Sequence, residues 1–349
     1  AAQGPPWSIM GARAVCAMPT IIANEGYLRV RSLIVHNNRS GFGSDAIFEF
    51  ERFLVRPGDE CVLRVLDEGE AIEHALRDAS SFDLVILSGG DGTVANALDV
   101  LAGRDIPTCI FPSGTANLLF ANLGNAMEPQ AMAHACHELT CFRGDLGTMS
   151  WHTDGGSDHA RGFALMAGMG FDAQLMRAAL PNKRRMGEAA YFAAAFSNLH
   201  PTMLHFTIDC DGTVCERDGI SCMVANNAMM QGEIEIVSDC RMDDGKLDVI
   251  VLEASEAAGL LRPIFAGVLD RTGKSIGRPH IEHFRGRRIS VQSDSSMPMQ
   301  IDGEVIEGCT HGFSAQVRPA STRLTIDHAS PYHTSARLVR GTVDVHGGR

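Results

Sequence analysis

The sequence is short of positive charge and of long apolar runs, lacks paired metal-type cysteines, and carries one charged residue, Arg13, in its first twenty. Lys and Arg number 30 against 42 Asp and Glu, a formal net charge of −12. Nucleic-acid binding requires a dense cationic surface to displace counterions, so no nucleic-acid partner is expected. Global attraction to anionic lipid headgroups is excluded for the same reason, which leaves only local basic patches for that role. No apolar run reaches the roughly 20 residues that cross a bilayer. The first twenty residues lack the charged start and long apolar middle of a signal peptide, and residues 1–27 are read as a disordered or tag-like tail. Ten cysteines are present, none in C-x-x-C spacing, and no Cys/His cluster has the turn spacing of a zinc site. Reduced, mostly buried thiols suit a cytoplasmic protein.

What is present is a globular composition. The chain has 349 residues, 45% of them apolar and only 21% charged, which is too little charge for long disordered segments. At roughly 100–200 residues per domain, two domains are expected.

Residues 28–35 form a β-rich run that empties into the polar, glycine-bearing stretch 36–43. Ala46, Ile47, Phe50, Phe53 and Leu54 then recur at helical spacing. A second strand is expected at 61–66, a helix at 69–79, a third strand at 83–87 and a fourth at 107–111. The continuous apolar run of the third suits a strand buried on both faces. Strands alternating with helices imply a parallel sheet with right-handed crossovers, whose ligand crevice lies along the carboxyl ends of the strands. After about residue 143 the pattern becomes short strands with Asp-Gly turn signals at 211–212, 218–219, 244–245 and 302–303, as in an antiparallel β domain. Helical interruptions are expected at 172–179, 188–198 and 254–269. The expected division is an α/β domain at 28–143, an antiparallel β domain at 144–325 and a tail at 326–349.

Three loops fall on the crevice edge. The most informative is Ser88-Gly89-Gly90-Asp91-Gly92-Thr93, where three glycines in five positions let the backbone approach a ligand and aim N–H groups at phosphate oxygens. Asp91 can meet a magnesium ion or accept a proton; the bland alternative is a tight turn with Asp91 as helix N-cap. The other two are Asn37-x-x-Ser40-Gly41-x-Gly43 and Pro112-x-Gly114-Thr115-x-Asn117. Together they describe a phosphate-binding crevice.

With these loops the sequence resembles the catalytic domain of the diacylglycerol kinase family, which includes bacterial lipid kinases and sphingosine kinases. Further carriers of the resemblance are Gly-x-Gly-Phe-Asp-Ala at 168–173, Asp-Gly-Lys-Leu-Asp-Val at 244–249 and Asp-Gly-Glu at 302–304. The resemblance implies an α/β domain with a parallel sheet plus a C-terminal antiparallel β-sandwich. It implies transfer of the ATP γ-phosphoryl group to a lipid hydroxyl in the cleft between them, with ATP and Mg²⁺ as cofactors. ATP would lie across Asn37, Ser40, Gly41, residues 88–93, Asn96, Gly114, Thr115 and Asn117. Asp244 matches a side-chain ligand to magnesium, with Arg241 and Lys246 placed to add backbone carbonyls; the alternative is an ordinary hairpin turn. Glu304 matches the proton acceptor. Asp302 either shares that task or shapes its turn, and Asp91 is the competing base. The sequence departs from the family where Asn38 replaces a proline, and where Gln231-Gly232-Glu233 and Val237-Ser238 replace a glycine cluster and an Ala-Pro pair.

Two basic clusters run against the net charge, Lys183-Arg184-Arg185 and Arg285-Gly286-Arg287-Arg288. Solvated surface is the plain reading of both. The first also precedes Tyr191, Phe192 and Phe196, a combination that suits transient contact with a membrane surface carrying the lipid substrate. A homodimer is compatible with the chain. An NAD kinase shares the Gly-Gly-Asp-Gly-Thr loop, but the Asn-Glu pair of those enzymes is missing after Thr93. A non-catalytic lipid-binding relative is the remaining alternative.

Overall fold

The computed structural model describes residues 14–15, 29–40, 45–153, 156–179, 201–227, 229–230, 234–235, 240–253 and 281–334. Gly41 and Gly43, the basic cluster at 183–185, the expected helices at 188–198 and 254–269, residues 231–233 and 237–238, and most of the expected tails lie outside the described residues.

The first half contains β1 (Ala14–Val15), β2 (Arg31–His36), α1 (Ala46–Leu54), β3 (Glu60–Val65), α2 (Ile72–Ala75), β4 (Leu84–Gly89), α3 (Asp91–Leu101), β5 (Pro107–Pro112), α4 (Leu118–Leu123) and α5 (Pro129–Glu138). β3, β2, β4 and β5 are adjacent in that order and all parallel. Every residue of β4 is buried, which explains its unbroken apolar run. Ile47, Phe50 and Leu54 bury one face of α1. Phe53, placed with them by periodicity, instead lies on the exposed side. The helix expected at 69–79 shrinks to the single turn of α2, because Gly69 takes a positive φ of 77° and the chain closes in a second short turn at Ala79–Ser81. Within the expected N-terminal tail, β1 pairs antiparallel with β3.

The second half contains β6 (Cys141–His152), β7 (Asp158–Phe163), β8 (Met166–Gly170), α6 (Phe171–Ala179), β9 (Leu204–Cys210), β10 (Thr213–Gly219), β11 (Ser221–Ala225), β12 (Met229–Met230), β13 (Ile234–Glu235), β14 (Leu247–Leu252), β15 (Ile281–Gly286), β16 (Arg288–Met297), β17 (Met299–Ile301), β18 (Glu304–Val305) and β19 (Thr310–Thr325). One antiparallel sheet runs β15-β14-β11-β8-β17-β18, and β19, β16, β9, β10, β6 and β7 form the facing layer. Asp-Gly pairs close two-residue hairpins at 211–212 and 302–303, with Asp φ of 53° and 47° and Gly φ of 88° and 82°. Asp218 and Gly219 do not turn; they finish β10, paired with His205 and Leu204.

Buried side chains form two clusters, one around β2, β4 and β5 and one between the two antiparallel layers. The halves are joined by β19. Its first part pairs with β16 and β6, and its last residues Arg323 and Leu324 add in parallel to β5. A bulge between Arg318 and Thr322, with Ala320 at φ 50°, makes the bend. The chain beyond residue 325 is not a tail at once. Ile326 and Tyr332 are buried in the first cluster, Tyr332 stacks on Phe142 at 4.5 Å, and Asp327 exchanges hydrogen bonds with the 125–126 turn. An apolar side chain and an aromatic pair therefore hold the start of the expected tail to the core.

Candidate active site

The three crevice loops fall together at the carboxyl ends of β2, β4 and β5, and their side chains strap them to one another. Asn37 Nδ2 donates to Thr93 Oγ1 at 2.8 Å, and Gly90 N–H donates to Ser40 Oγ at 3.1 Å. Ser88, fully buried, bridges His36 Nδ1 at 2.8 Å and Ser113 Oγ at 3.2 Å. Burial lowers the His36 pKa, which favours the neutral imidazole facing Ser88. Motif reading missed His36, although it directly precedes Asn37.

The loop after β5 is internally closed. Asn117, at φ 50°, accepts the Gly114 N–H at 2.7 Å and donates back to the Gly114 carbonyl at 2.8 Å. Thr115 is exposed at its tip. A methyl on Gly114 would lie 2.4 Å from Gly90 Cα, so the two loops touch backbone to backbone. Asp91 begins α3, and its Oδ1 accepts the Leu119 N–H at 3.0 Å. It therefore caps a helix as the plain alternative has it, but the helix is the neighbouring α4. That carboxylate ties two loops together and is not among the groups lining the cleft. The first-turn N–H groups of α3 remain the donors an anion at this end would use.

A cleft of about 580 Å³ opens beside this edge. Asn37, Thr93 and Asn96 line it from the first domain, and Arg161 and Glu304 from the second. Glu304 starts β18 and reaches the first turn of α3, where a methyl on Gly92 would lie 3.1 Å from its Oε1. Its Oε2 accepts from Arg161 Nη2 at 2.7 Å. The same guanidinium nitrogen donates to Asn96 Oδ1 at 2.9 Å. Arg161 belongs to no motif; its signal is visible only once β7 is packed on α3.

Asp302 does not share the cleft with Glu304. Its carboxylate turns inward and accepts three backbone N–H groups, from Ala164 and Leu165 at 2.8 Å and from Met166 at 3.1 Å. Burial raises its pKa to about 6, against the pull of those donors. The structure thus gives Asp302 the turn-shaping role. Between β7 and β8, the three N–H groups that Asp302 accepts come from the break at residues 164–166.

Asp244, Arg241 and Lys246 share the turn before β14, and none of the three lines the cleft. Asp244 Oδ1 accepts the Lys246 N–H at 2.9 Å and Oδ2 faces Arg285 Nη1 at 3.5 Å. Partial burial raises the Asp244 pKa. Arg241 forks onto Asp243 at 2.7 and 2.9 Å and covers the Tyr332 ring at 4.8 Å. Asp145 beside them already accepts from Gly245 and Ala320, each at 2.7 Å. The carboxylates of this turn are met by guanidinium and backbone N–H groups, and among the described residues no cluster of three or more His, Cys, Asp or Glu side chains is placed to hold a metal ion. Arg285, read as part of a surface cluster, is held in these ion pairs and to Asp248.

The site thus joins a parallel sheet with glycine loops at its carboxyl edge to an antiparallel domain whose Glu304 reaches the first turn of α3. The diacylglycerol kinase catalytic domain matches residues 31–149, and the YegS C-terminal NAD kinase beta sandwich-like domain matches residues 166–326. A diacylglycerol kinase of Mycobacterium tuberculosis is 30% identical over 236 residues, covering 65% of this chain and 74% of that protein. A probable lipid kinase YegS-like of Pseudomonas fluorescens is 26% identical over 278 residues, 78% of this chain and 86% of that one. The structure of a putative diacylglycerol kinase from Bacillus anthracis superposes with a TM-score of 0.65 at 21% identity, covering 86% of this chain and 98% of that one. The chain belongs to the diacylglycerol kinase family. Among the described residues no helix is long and apolar enough to cross a membrane.

Proposed function

We propose that this chain transfers the γ-phosphoryl group of ATP to the hydroxyl of a lipid of diacylglycerol or long-chain-base type. The observation that carries the reading is Glu304: a carboxylate from the second domain set against the first turn of α3, in a cleft that Asn37 and Thr93 of the loop edge also line. The phosphates would lie at the N-terminus of α3, where orphan N–H groups and the helix dipole favour anions. Asn37, Ser40 and Thr93 keep the loops in register around them, and Gly90 and Gly114 let the two backbones close. Phosphoryl transfer through a loose transition state asks little of a base, so Glu304 takes the hydroxyl proton late. Magnesium would arrive with the nucleotide and neutralise phosphate charge; none of the described residues is assigned to it.

The test is transfer from radiolabelled ATP to a panel of diacylglycerol, long-chain base, ceramide and monoacylglycerol in mixed micelles, with NAD as a further acceptor. Label in one of the lipids supports the reading. Label in NAD alone turns it to an NAD kinase, and ATP binding with no acceptor labelled turns it to a regulatory lipid-binding protein.

A further inference from the structure

Arg161 lines the cleft from the second domain and reaches a helix of the first. Its Nη2 serves two acceptors at once, Glu304 Oε2 at 2.7 Å and Asn96 Oδ1 at 2.9 Å. Asn96 lies one turn into α3, the helix that begins at the glycine loop, and Glu304 lies on the two-residue strand β18. The guanidinium therefore fixes where a carboxylate of one domain stands relative to a helix of the other.

The Arg161 side chain is the held member of the pair and the Glu304 side chain the open one, with 24% against 51% exposure. The backbone under Arg161 is itself pinned. Gly162 N–H donates to Asp99 Oδ2 at 3.2 Å, and a methyl on Gly162 would lie 2.3 Å from that carboxylate. β7 thus rests on α3 through the Asp99 carboxylate, with no side chain on the β7 side. Held at one end by this contact, Arg161 can place the Glu304 carboxylate; a half-exposed glutamate on a short strand has no other described partner of opposite charge to do so.

We infer that Arg161 is a positioning residue: it holds the Glu304 carboxylate at the first turn of α3, where the acceptor hydroxyl meets the phosphoryl group. The inference rests on the kinase reading above. A misplacement of about 1 Å at a reacting group costs on the order of 10²-fold in rate. Lysine keeps the charge but not the planar fork that can serve Glu304 and Asn96 together, so it restores the function only in part.

The experiment measures transfer from radiolabelled ATP to the best lipid acceptor for the unsubstituted chain, R161Q, R161K, E304Q and R161Q/E304Q, with ATP binding by calorimetry and a thermal melt of each. For R161Q the expected result is a kcat lower by about 10- to 100-fold, a KM for ATP within about twofold, and partial recovery in R161K. In the residual transfer of E304Q, adding R161Q costs nothing further, because its effect runs through Glu304. Should R161Q melt early, R161K against E304Q carries the same cycle. Unchanged kcat in R161Q, a raised KM with kcat kept, or the full loss repeated in the E304Q background would each overturn the assignment of Arg161 alone. An unsubstituted chain that labels no lipid overturns the kinase reading, and the role of Arg161 with it.

Discussion

Gly90 and Gly114 face each other across the crevice, yet the structure predicts opposite tolerance to a methyl group. On Gly114 a Cβ would stand 2.4 Å from Gly90 Cα, 3.0 Å from Asn117 Oδ1 and 3.2 Å from Gly90 N. Ordinary carbon contacts lie at about 3.5–4.0 Å, so the two backbones must separate by about 1 Å. On Gly90 the nearest atoms are Gly114 Cα at 3.5 Å and Ser40 Oγ at 4.0 Å, both ordinary contacts. Its φ of −81° and ψ of 174° suit any residue, and alanine keeps the N–H that Ser40 accepts. Overpacking of this kind costs about 1–3 kcal/mol, and every 1.4 kcal/mol is about tenfold in affinity. Gly114→Ala is expected to lower the unfolding free energy by that amount, read as a lower urea midpoint at constant m, and to weaken ATP binding by about tenfold or more, because the loops open where the phosphates would lie. Gly90→Ala should stay within about 0.5 kcal/mol in stability. Urea titration and calorimetry of both variants decide the matter. Equal behaviour of the pair in both assays refutes the backbone-contact argument.

Four further outcomes follow from other contacts. Glu304→Gln should lose at least about 10²-fold in transfer with ATP binding retained; unchanged turnover removes Glu304 from the mechanism. Asp91→Asn keeps an acceptor for Leu119 N–H, whereas Asp91→Ala removes the α4 cap and should cost about 1 kcal/mol in urea unfolding. Equal stability of the two variants denies the capping role. Gly162→Ala drives a methyl to 2.3 Å from the Asp99 carboxylate and should part β7 from α3, lowering both melting temperature and turnover; a wild-type melt counts against that packing. Asp302, raised to about 6 by burial, binds its proton more tightly folded than unfolded, so the stability it contributes is complete below the ordinary carboxyl range and lost as pH rises through about 6. That loss is on the order of 3 kcal/mol, and Asp302→Asn should flatten the pH dependence of unfolding by urea between pH 4 and 7. An unaltered slope contradicts the buried carboxyl.

Local signals were enough for the parallel sheet and for the loop edge. Period-2 and continuous apolar runs, and glycines bunched at strand ends, depend only on residues near one another, and β2, β4 and β5 stand where those signals put them. Errors arose where local signals compete. The helix at 69–79 fails at a positive-φ glycine, Asp218-Gly219 extends a strand despite its turn composition, and Ile326 and Tyr332 bury in a core that their own neighbours do not reveal.

By itself the sequence determined the family, the fold class and the candidate residues Asn37, Ser40, Asp91, Thr93 and Glu304, because those are matters of residue type and order along the chain. Only the tertiary structure decided what each carboxylate does. Asp302 and Ala164 are 138 residues apart and Arg161 and Asn96 are 65 apart, and their partnerships exist only after β7 settles on α3 and β17 on β8. An aspartate that caps, an aspartate that holds a turn and a glutamate that faces the cleft are chemically alike in sequence. Burial and the donors within about 3 Å separate them, and both are properties of the packed molecule.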